Sequence, residues 1–597
     1  MQGAGSRPAA FRLLLAALLL IALHGALLWH SAAQKSATVD ELSHLAAGLY
    51  AIETGDFRIN RTAPPLQNLL NALPVALTID YQLNFDNENW RKGIWNGAGA
   101  RLVEANPERF HTMLMRGRLA SIVLSMLVCA LIWAWSWELW GEAPALIVLV
   151  LAAFEPNGMA HGRLTTTDTA TTLSILFTGW MLWRFLRAPH WGYLMGIGAG
   201  CGAAWLGKHS GPVVFAGTML ALLVGRRVWF PQWLGQWLAP RSVAWQKAAS
   251  VVAQCLVVGL LGLLTIWAGY GFETGNRIEN QSPERSFLWQ GLQIPLKTAE
   301  QLMGYPIQLE APSDPAPHPL WRLLSDWLPA YSHWEGFARV RSQVEQGSLG
   351  YLMGEFSTQG FTLFYPILFL IKTPLPVLLL IMLGAGLLVS RRVRLPGGAG
   401  LMLILPAVYG LALLGNTVAI GYRHALPLVP FLLMMGAGAA AWWAWHGALG
   451  RCRRIVPLMI IALAAAGALE AARHHPHYLS YFSPVIGGPR EGHHYAIDSN
   501  LDWGQDLLIL RQAIEEREMD APSLIYFGPP QLPEAYQVPH QAVDIEPVLP
   551  PGTYVISATA LHGIGAHGLY EAMAPFRQRE PDEYITPALF LYRNGMN

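Results

Sequence analysis

Asp40, Glu41 and His44 stand close together in TVDELSHLAAGLYAIETGDFRINRTAPPLQ. Carboxylates and an imidazole this near one another can take a proton from a hydroxyl or orient the group that does. Arg58 and Arg61 follow in the same stretch. A guanidinium can hold a phosphate through two parallel hydrogen bonds, so the segment pairs candidate proton acceptors with candidate anion ligands. Three later segments add to this set. FEPNGMAHGRLTTTDTATTL carries His161, Arg163 and Asp168; GAAWLGKHSGPVV carries Lys208 and His209; GNTVAIGYRHALPLVP carries Arg423. Each has a plainer explanation beside the chemical one. Thr38 and Glu41 have the T-x-x-E spacing of a capping box, Thr165 and Asp168 the related T-x-x-D spacing, and an acid such as Asp40 in a first helical turn is favoured by the helix dipole alone. A lysine at the end of an apolar segment can simply snorkel to water.

The elements that must position these groups follow from periodicity. Leu42, Leu45, Ala46, Leu49 and Ile52 recur at helical spacing until Gly55, which places Asp40 and His44 on one face away from the leucines. Pro64-Pro65 then forces an extended turn before a second short amphipathic helix ending near Leu77. The rest of the chain is apolar. Of its 597 residues 53% are hydrophobic and 13% charged, against about 25% charged in soluble domains, so a polytopic membrane protein is expected. The net charge of +1 leaves no concentrated basic surface for nucleic acid. Cys129, Cys201, Cys255 and Cys452 all lie in or at the edge of apolar runs, so neither a structural disulfide nor a thiolate metal site is expected.

Apolar runs near 11–32, 113–137, 143–157, 165–183, 191–206, 211–225, 248–270, 361–390, 398–417, 425–446 and 455–472 predict about eleven spans, the first retained as an anchor. With the N-terminus inside, the short inner loops gather Arg184, Arg187, Arg226, Arg227, Arg391, Arg392, Arg451 and Arg453. Arg163, Lys208 and Arg423 are then left on the outer side with Asp40. This predicts a membrane domain over 1–472, with outer loops at 33–112 and 271–360, and a small extracytoplasmic α/β domain over 473–597. That last segment contains the strand-like YVISATAL and ITPALFLYR and a helical LDWGQDLLILRQAIEE; Asp498, Asp502 and Asp506 recur every fourth residue on one helical face, which could bind acceptor but is better read as solvated.

The D-E, G-D and P-P-L residues of the first loop resemble the GT-C glycosyltransferases, in particular the protein O-mannosyltransferase and lipid A aminoarabinose transferase group (glycosyltransferase family 39-like) that uses polyprenyl-phosphate sugars. The T-D pair at Asp168, the turn at Lys208, the R-H-x-L-P segment at Arg423, the stretch GYLMGEFSTQGFTLFYPILFLIKTPLPVLLL and the block DSNLDWGQD resemble the same group, the last two its bacterial members. The resemblance implies an all-α GT-C membrane fold and an inverting transfer from a polyprenyl-phosphate sugar, with undecaprenyl phosphate as carrier, to a protein, lipid or glycan acceptor. The site would lie at the outer face of a bacterial cytoplasmic membrane, among membrane lipids. It implies Asp40 as catalytic base, Asp168 beside it, and Lys208 and Arg423 on the donor phosphate, with Glu41 the second acid of the D-E pair. Gly207 stands where the family has Thr, and His209-Ser210 separate Lys208 from Gly211. No cofactor is implied. A divalent ion near His161 and His209 stays open, although no H-E-x-x-H spacing is present. The competing class is a lipid or solute transporter. It would show repeated halves with ionisable groups at mid-membrane, whereas here those groups gather in outer loops.

Overall fold

The computed structural model describes residues 7–225, 243–275, 287–288, 319–397, 399–447, 450–565 and 567–595. Part of the expected outer loop at 271–360 lies outside these residues. The chain is mostly helical, and every segment expected to cross the membrane contains helix. Among the described residues, five helices are long and apolar enough to span by themselves: Phe11–Ala33, Phe110–Trp140, Trp245–Gly269, Leu426–His446 and Ile455–Ala472. A sixth span is possible from Phe364–Ile371 and Leu375–Val389, which meet at 116°. The bend falls at Lys372-Thr373-Pro374, where proline ends one helix and starts the next. Glu142–Ala153, Gly211–Gly225 and Ala399–Leu414 are apolar but shorter.

The first loop folds as four helices, Glu41–Thr54, Pro65–Thr78, Glu88–Lys92 and Trp95–Ala105, of which the first two pack together. Glu41–Thr54 begins where Thr38 N donates to Glu41 Oε2 at 2.9 Å, half of the expected capping box. Pro65–Thr78 opens on proline at its first position, which needs no amide hydrogen there. The two backbones touch at Gly48, where a Cβ would lie 2.1 Å from the Asn68 carbonyl, so only glycine fits.

In the C-terminal segment, β3 (Ser523–Ile525), β4 (Gly552–Ser557), β5 (Glu583–Thr586) and β6 (Leu589–Asn594) form one sheet in the order β3-β4-β6-β5, following a short hairpin of β1 (Gly350–Leu352) and β2 (Glu355–Ser357). β3 and β4 run parallel and the other pairs antiparallel. The sheet shares a core with the first loop: Val555, Leu589 and Leu591 lie in one cluster with Leu42, Leu45 and Leu49.

The run of aspartates differs from the sequence expectation. The α-helix starts only at Leu507; Asp498 opens the short 3₁₀ helix Asp498–Asn500 and Asp502 and Asp506 follow outside any helix, so the three share no helical face. Asp502 and Asp506 are 2% and 3% exposed, not solvated. The backbone here is used elsewhere: Ser36 N donates to Gln505 O and Val39 N to Trp503 O, both at 3.0 Å, which draws 503–505 out of helix and onto the first loop.

Candidate active site

Two ion pairs form the site. Arg423 Nη1 donates to Asp40 Oδ2 at 3.0 Å, and Lys208 Nζ donates to Asp168 Oδ1. Each pair joins distant parts of the chain. Asp40 sits at the start of its helix with no side-chain capping bond, so its carboxylate is free of the duty that competed with chemistry. Asp168 is the first residue of Asp168–Arg187, held by Thr166 Oγ1 at 2.8 Å. Lys208 follows the helix Trp191–Gly207, and Arg423 lies in the 3₁₀ turn Tyr422–His424, its guanidinium 4.3 Å from the ring centroid of Trp503. The pairs are close enough to act on each other: Arg423 feels both Asp40 and Asp168, and Lys208 feels Arg423 and Asp40. Burial pushes the Lys208 ammonium below its ordinary value, while the surrounding acids outweigh burial at Arg423 and hold it charged. Lys208 is 15% exposed and Arg423 11%, so an anion arriving from outside the protein can reach both.

Glu41 is placed differently. Its carboxylate is wholly buried and takes two hydrogen bonds from Arg118, Nε at 2.9 Å and Nη2 at 2.7 Å, and one from Thr165 N at 2.9 Å. Burial alone would raise its pKa, but Arg118 outweighs it and holds the carboxyl below the usual range. Arg118 also donates to the carbonyls of Ala32, Lys35 and Ser36. Glu41 is therefore a structural joint between the first loop and the helix Phe110–Trp140, which corrects its expected place beside Asp40. Thr165 serves that joint, so the T-x-x-D box expected at Asp168 does not form.

Arg58 is likewise committed locally, to Asp56 at 2.6 Å and over Trp90 at 4.7 Å, which corrects its expected role as a phosphate ligand. Arg61 is buried 5.9 Å from the centroid of Tyr331, and its carbonyl accepts from His209 Nε2 at 2.9 Å. His44 Nδ1 donates to Asn68 Oδ1 at 2.9 Å while feeling the charge of Asp40. Burial lowers His44, takes His161 to about 3 and takes His209 to about 4, so all three are neutral near pH 7 and add no positive charge for a phosphate. Arg163 is fully buried, and burial with the charge of Arg118 brings it down to about 10. Among the described residues no three His, Cys, Asp or Glu side chains converge as metal ligands.

Arg118 and Trp503 were missed by sequence reasoning. An arginine near the start of an apolar helix, as in MRGRLASIV, is itself a signal that a buried acid awaits it. Nothing in the sequence points to Trp503 as the plate under Arg423.

Residues 110–239 match the family model for dolichyl-phosphate-mannose-protein mannosyltransferase. That segment holds Arg118, Asp168 and Lys208, and the family named is within the group that the first loop resembles. No curated protein sequence matches the chain. Among solved structures it is similar to ArnT from Cupriavidus metallidurans bound to undecaprenyl phosphate, with TM-score 0.44 and 10% identity over 90% of this chain and 92% of that one. The apo state of the same protein gives 0.39 and 10% identity over 96% and 97%. The archaeal oligosaccharyltransferase AglB from Archaeoglobus fulgidus, in complex with an inhibitory peptide and a dolichol-phosphate, gives 0.41 and 12% identity over 95% and 65%. At scores this low, no residue or substrate carries across from these structures.

Proposed function

We propose that this protein is an inverting glycosyltransferase that moves a sugar from a polyprenyl-phosphate donor, with undecaprenyl phosphate as carrier, to a hydroxyl-bearing protein, lipid or glycan on the outer face of the cytoplasmic membrane. The observation that carries the reading is the meeting of Asp40–Arg423 and Asp168–Lys208, two acids and two cations from four separate segments, in one partly open site. The family-model match over 110–239 supports the same donor class.

In this reading the donor phosphate lies against Lys208 and Arg423. The acceptor oxygen attacks the anomeric carbon from the face opposite the phosphate, and its proton passes to Asp40. The bond from the anomeric carbon to the phosphate oxygen breaks with its electron pair on that oxygen, where the two cations stabilise the charge. A groove of about 890 Å³ begins at Val39, Leu42 and Ser43 and runs along Tyr526, Phe527 and His540, giving an acceptor a way to the neighbour of Asp40. No step is assigned to a metal.

Lys208→Ala and Arg423→Ala should each weaken binding of undecaprenyl phosphate roughly ten- to a hundredfold, since a charged hydrogen bond is worth about 1.5–3 kcal/mol. Arg58→Ala, whose guanidinium is held by Asp56, should stay within a few-fold. Calorimetry in detergent measures all three. Unchanged affinity in both of the first two variants removes the cations from the site.

The sidedness has its own test. Cys452 is exposed in a loop expected inside, and Glu518 is exposed beyond the last expected span. An impermeant maleimide applied to whole cells should label Glu518→Cys and spare Cys452. Labelling of both from one side rejects the topology.

A further inference from the structure

The helix Pro65–Thr78 buries its amides and exposes its leucines. Leu73 and Leu77 face outward, while Gln67, Asn68 and Asn71, which fall on one side of the helix, are buried. Amides taken out of water need partners within the protein, and these find them on three other helices. Gln67 Nε2 donates to Ser121 Oγ at 3.0 Å, Ser121 Oγ donates to Asn71 Oδ1 at 3.0 Å, and Asn68 Oδ1 accepts from His44 Nδ1 at 2.9 Å.

The remaining contact of Gln67 reaches the site. Its Oε1 accepts from Ala170 N at 2.8 Å, a bond between residues 103 positions apart. Ala170 is the third residue of the helix Asp168–Arg187, and the amides of a first helical turn have no partner inside the helix. Such a turn is ordinarily capped by the residue just before it, whose side chain accepts from the second or third amide. Here that residue is Thr167, and its side chain makes no capping bond. Gln67 takes its place from another helix. The direction of its amide is fixed as well. Ser121 gives its one hydroxyl hydrogen to Asn71 and can only accept from Gln67, which turns Nε2 to the serine and Oε1 to the backbone amide.

The helix that Gln67 caps begins with Asp168, the acid that holds Lys208. We propose that Gln67 is a positioning residue for donor binding: by capping the helix at Ala170 it sets Asp168, and through Asp168 the ammonium of Lys208. This rests on Lys208 being a phosphate ligand. Among the described residues that ammonium makes one hydrogen bond, to Asp168. A lysine on its flexible stem, once released from that bond, must be ordered again at the phosphate, which costs affinity. Without Gln67 the buried Ala170 amide has no acceptor, and the first turn shifts until Asp168 no longer meets the lysine. The acid stays in the neighbourhood, so the charge around the phosphate changes little. What is lost is the fixed place of the ammonium.

The test is a double-mutant cycle on the affinity for undecaprenyl phosphate, measured by calorimetry in detergent, with Gln67→Met and Lys208→Ala singly and together. Methionine keeps the length of the side chain, and its thioether accepts only weakly. Gln67→Met should weaken binding roughly three- to tenfold when Lys208 is present and less than about twofold once it is alanine, because effects that act through one residue do not add. General damage to the fold would lower affinity by the same factor in both backgrounds, and that result overturns the proposal. So does a Gln67→Met protein that binds as well as wild type or better while Lys208→Ala binds worse. If Gln67→Met does not fold, Ser121→Ala enters the same cycle. It leaves the glutamine in place but frees its amide to turn from Ala170, and a loss that does not depend on Lys208, or no loss, again overturns the role of Gln67. Wild type that binds no lipid phosphate, or that binds it equally well after Lys208→Ala, overturns the donor assignment and this proposal with it.

Discussion

Asp40→Asn should bind the lipid-linked donor and transfer its sugar at least about a hundredfold more slowly than wild type, because positioned general bases contribute 10²–10⁴-fold. The substitution is close to a pure test of basicity. Asp40 makes no capping hydrogen bond, so the helix Glu41–Thr54 loses nothing at its start. The amide oxygen still accepts from Arg423, and removing one negative charge beside the phosphate cations leaves donor affinity equal or stronger. A single-turnover measurement with saturating donor reads the chemical step directly. Full turnover in Asp40→Asn would rule out Asp40 as the proton acceptor. Glu41→Gln separates the two neighbouring acids by what each variant loses. Gln can still accept from Thr38 N, but it leaves Arg118 buried with half its ion pair gone, so the loss should appear in stability and not in turnover per folded molecule.

Arg118→Leu should have the largest effect on stability. It strands the Glu41 carboxylate, fully buried, with only Thr38 and Thr165 as donors. Breaking a buried pair from one side costs about 3–5 kcal/mol, whereas replacing both partners by apolar residues is often neutral. The double variant Arg118→Leu/Glu41→Leu should therefore recover most of the loss. Thermal unfolding in detergent, followed by size-exclusion, compares the three proteins. The pH dependence has a definite sign. In wild type the folded pKa of Glu41 is depressed, so its contribution is present above the unfolded value and lost as pH falls through the folded one. In Arg118→Leu the cation is gone and burial dominates, so acid should instead partly rescue the fold. If the single and double variants unfold at the same temperature, the pair does not join the first loop to its helix.

The candidate pairs were legible in the sequence as residues but not as pairs. Asp168, Lys208 and Arg423 stood out because a charged side chain beside an apolar run needs a reason, and Asp40 through the D-E motif that resembles the GT-C group. Which acid meets which cation depends on how helices pack, and packing of near-uniformly apolar faces leaves no periodic trace. Glu41 shows the limit most clearly. T-x-x-E spacing correctly pointed to its bond with Thr38, yet its dominant partner, Arg118, lies 77 positions away. Arg58 and Asp56 show the converse: two residues apart, they satisfy each other, so a local pair removed a charge that had looked available. The aspartates at 498, 502 and 506 had helical spacing, but helix lost to backbone pairing between 503–505 and the first loop, a long-range contact that no local propensity reports.

That last contact bears on how the protein is made. Val39 pairs with Trp503, and Arg423 rests on its ring, so the neighbourhood of Asp40 is completed by residues that leave the ribosome far later. At about 5–20 residues per second, roughly half a minute to a minute and a half separates the emergence of the two parts. For most of that interval Asp40 is without its arginine. Until both parts are made, the chain cannot set the Asp40–Arg423 pair on its Trp503 plate.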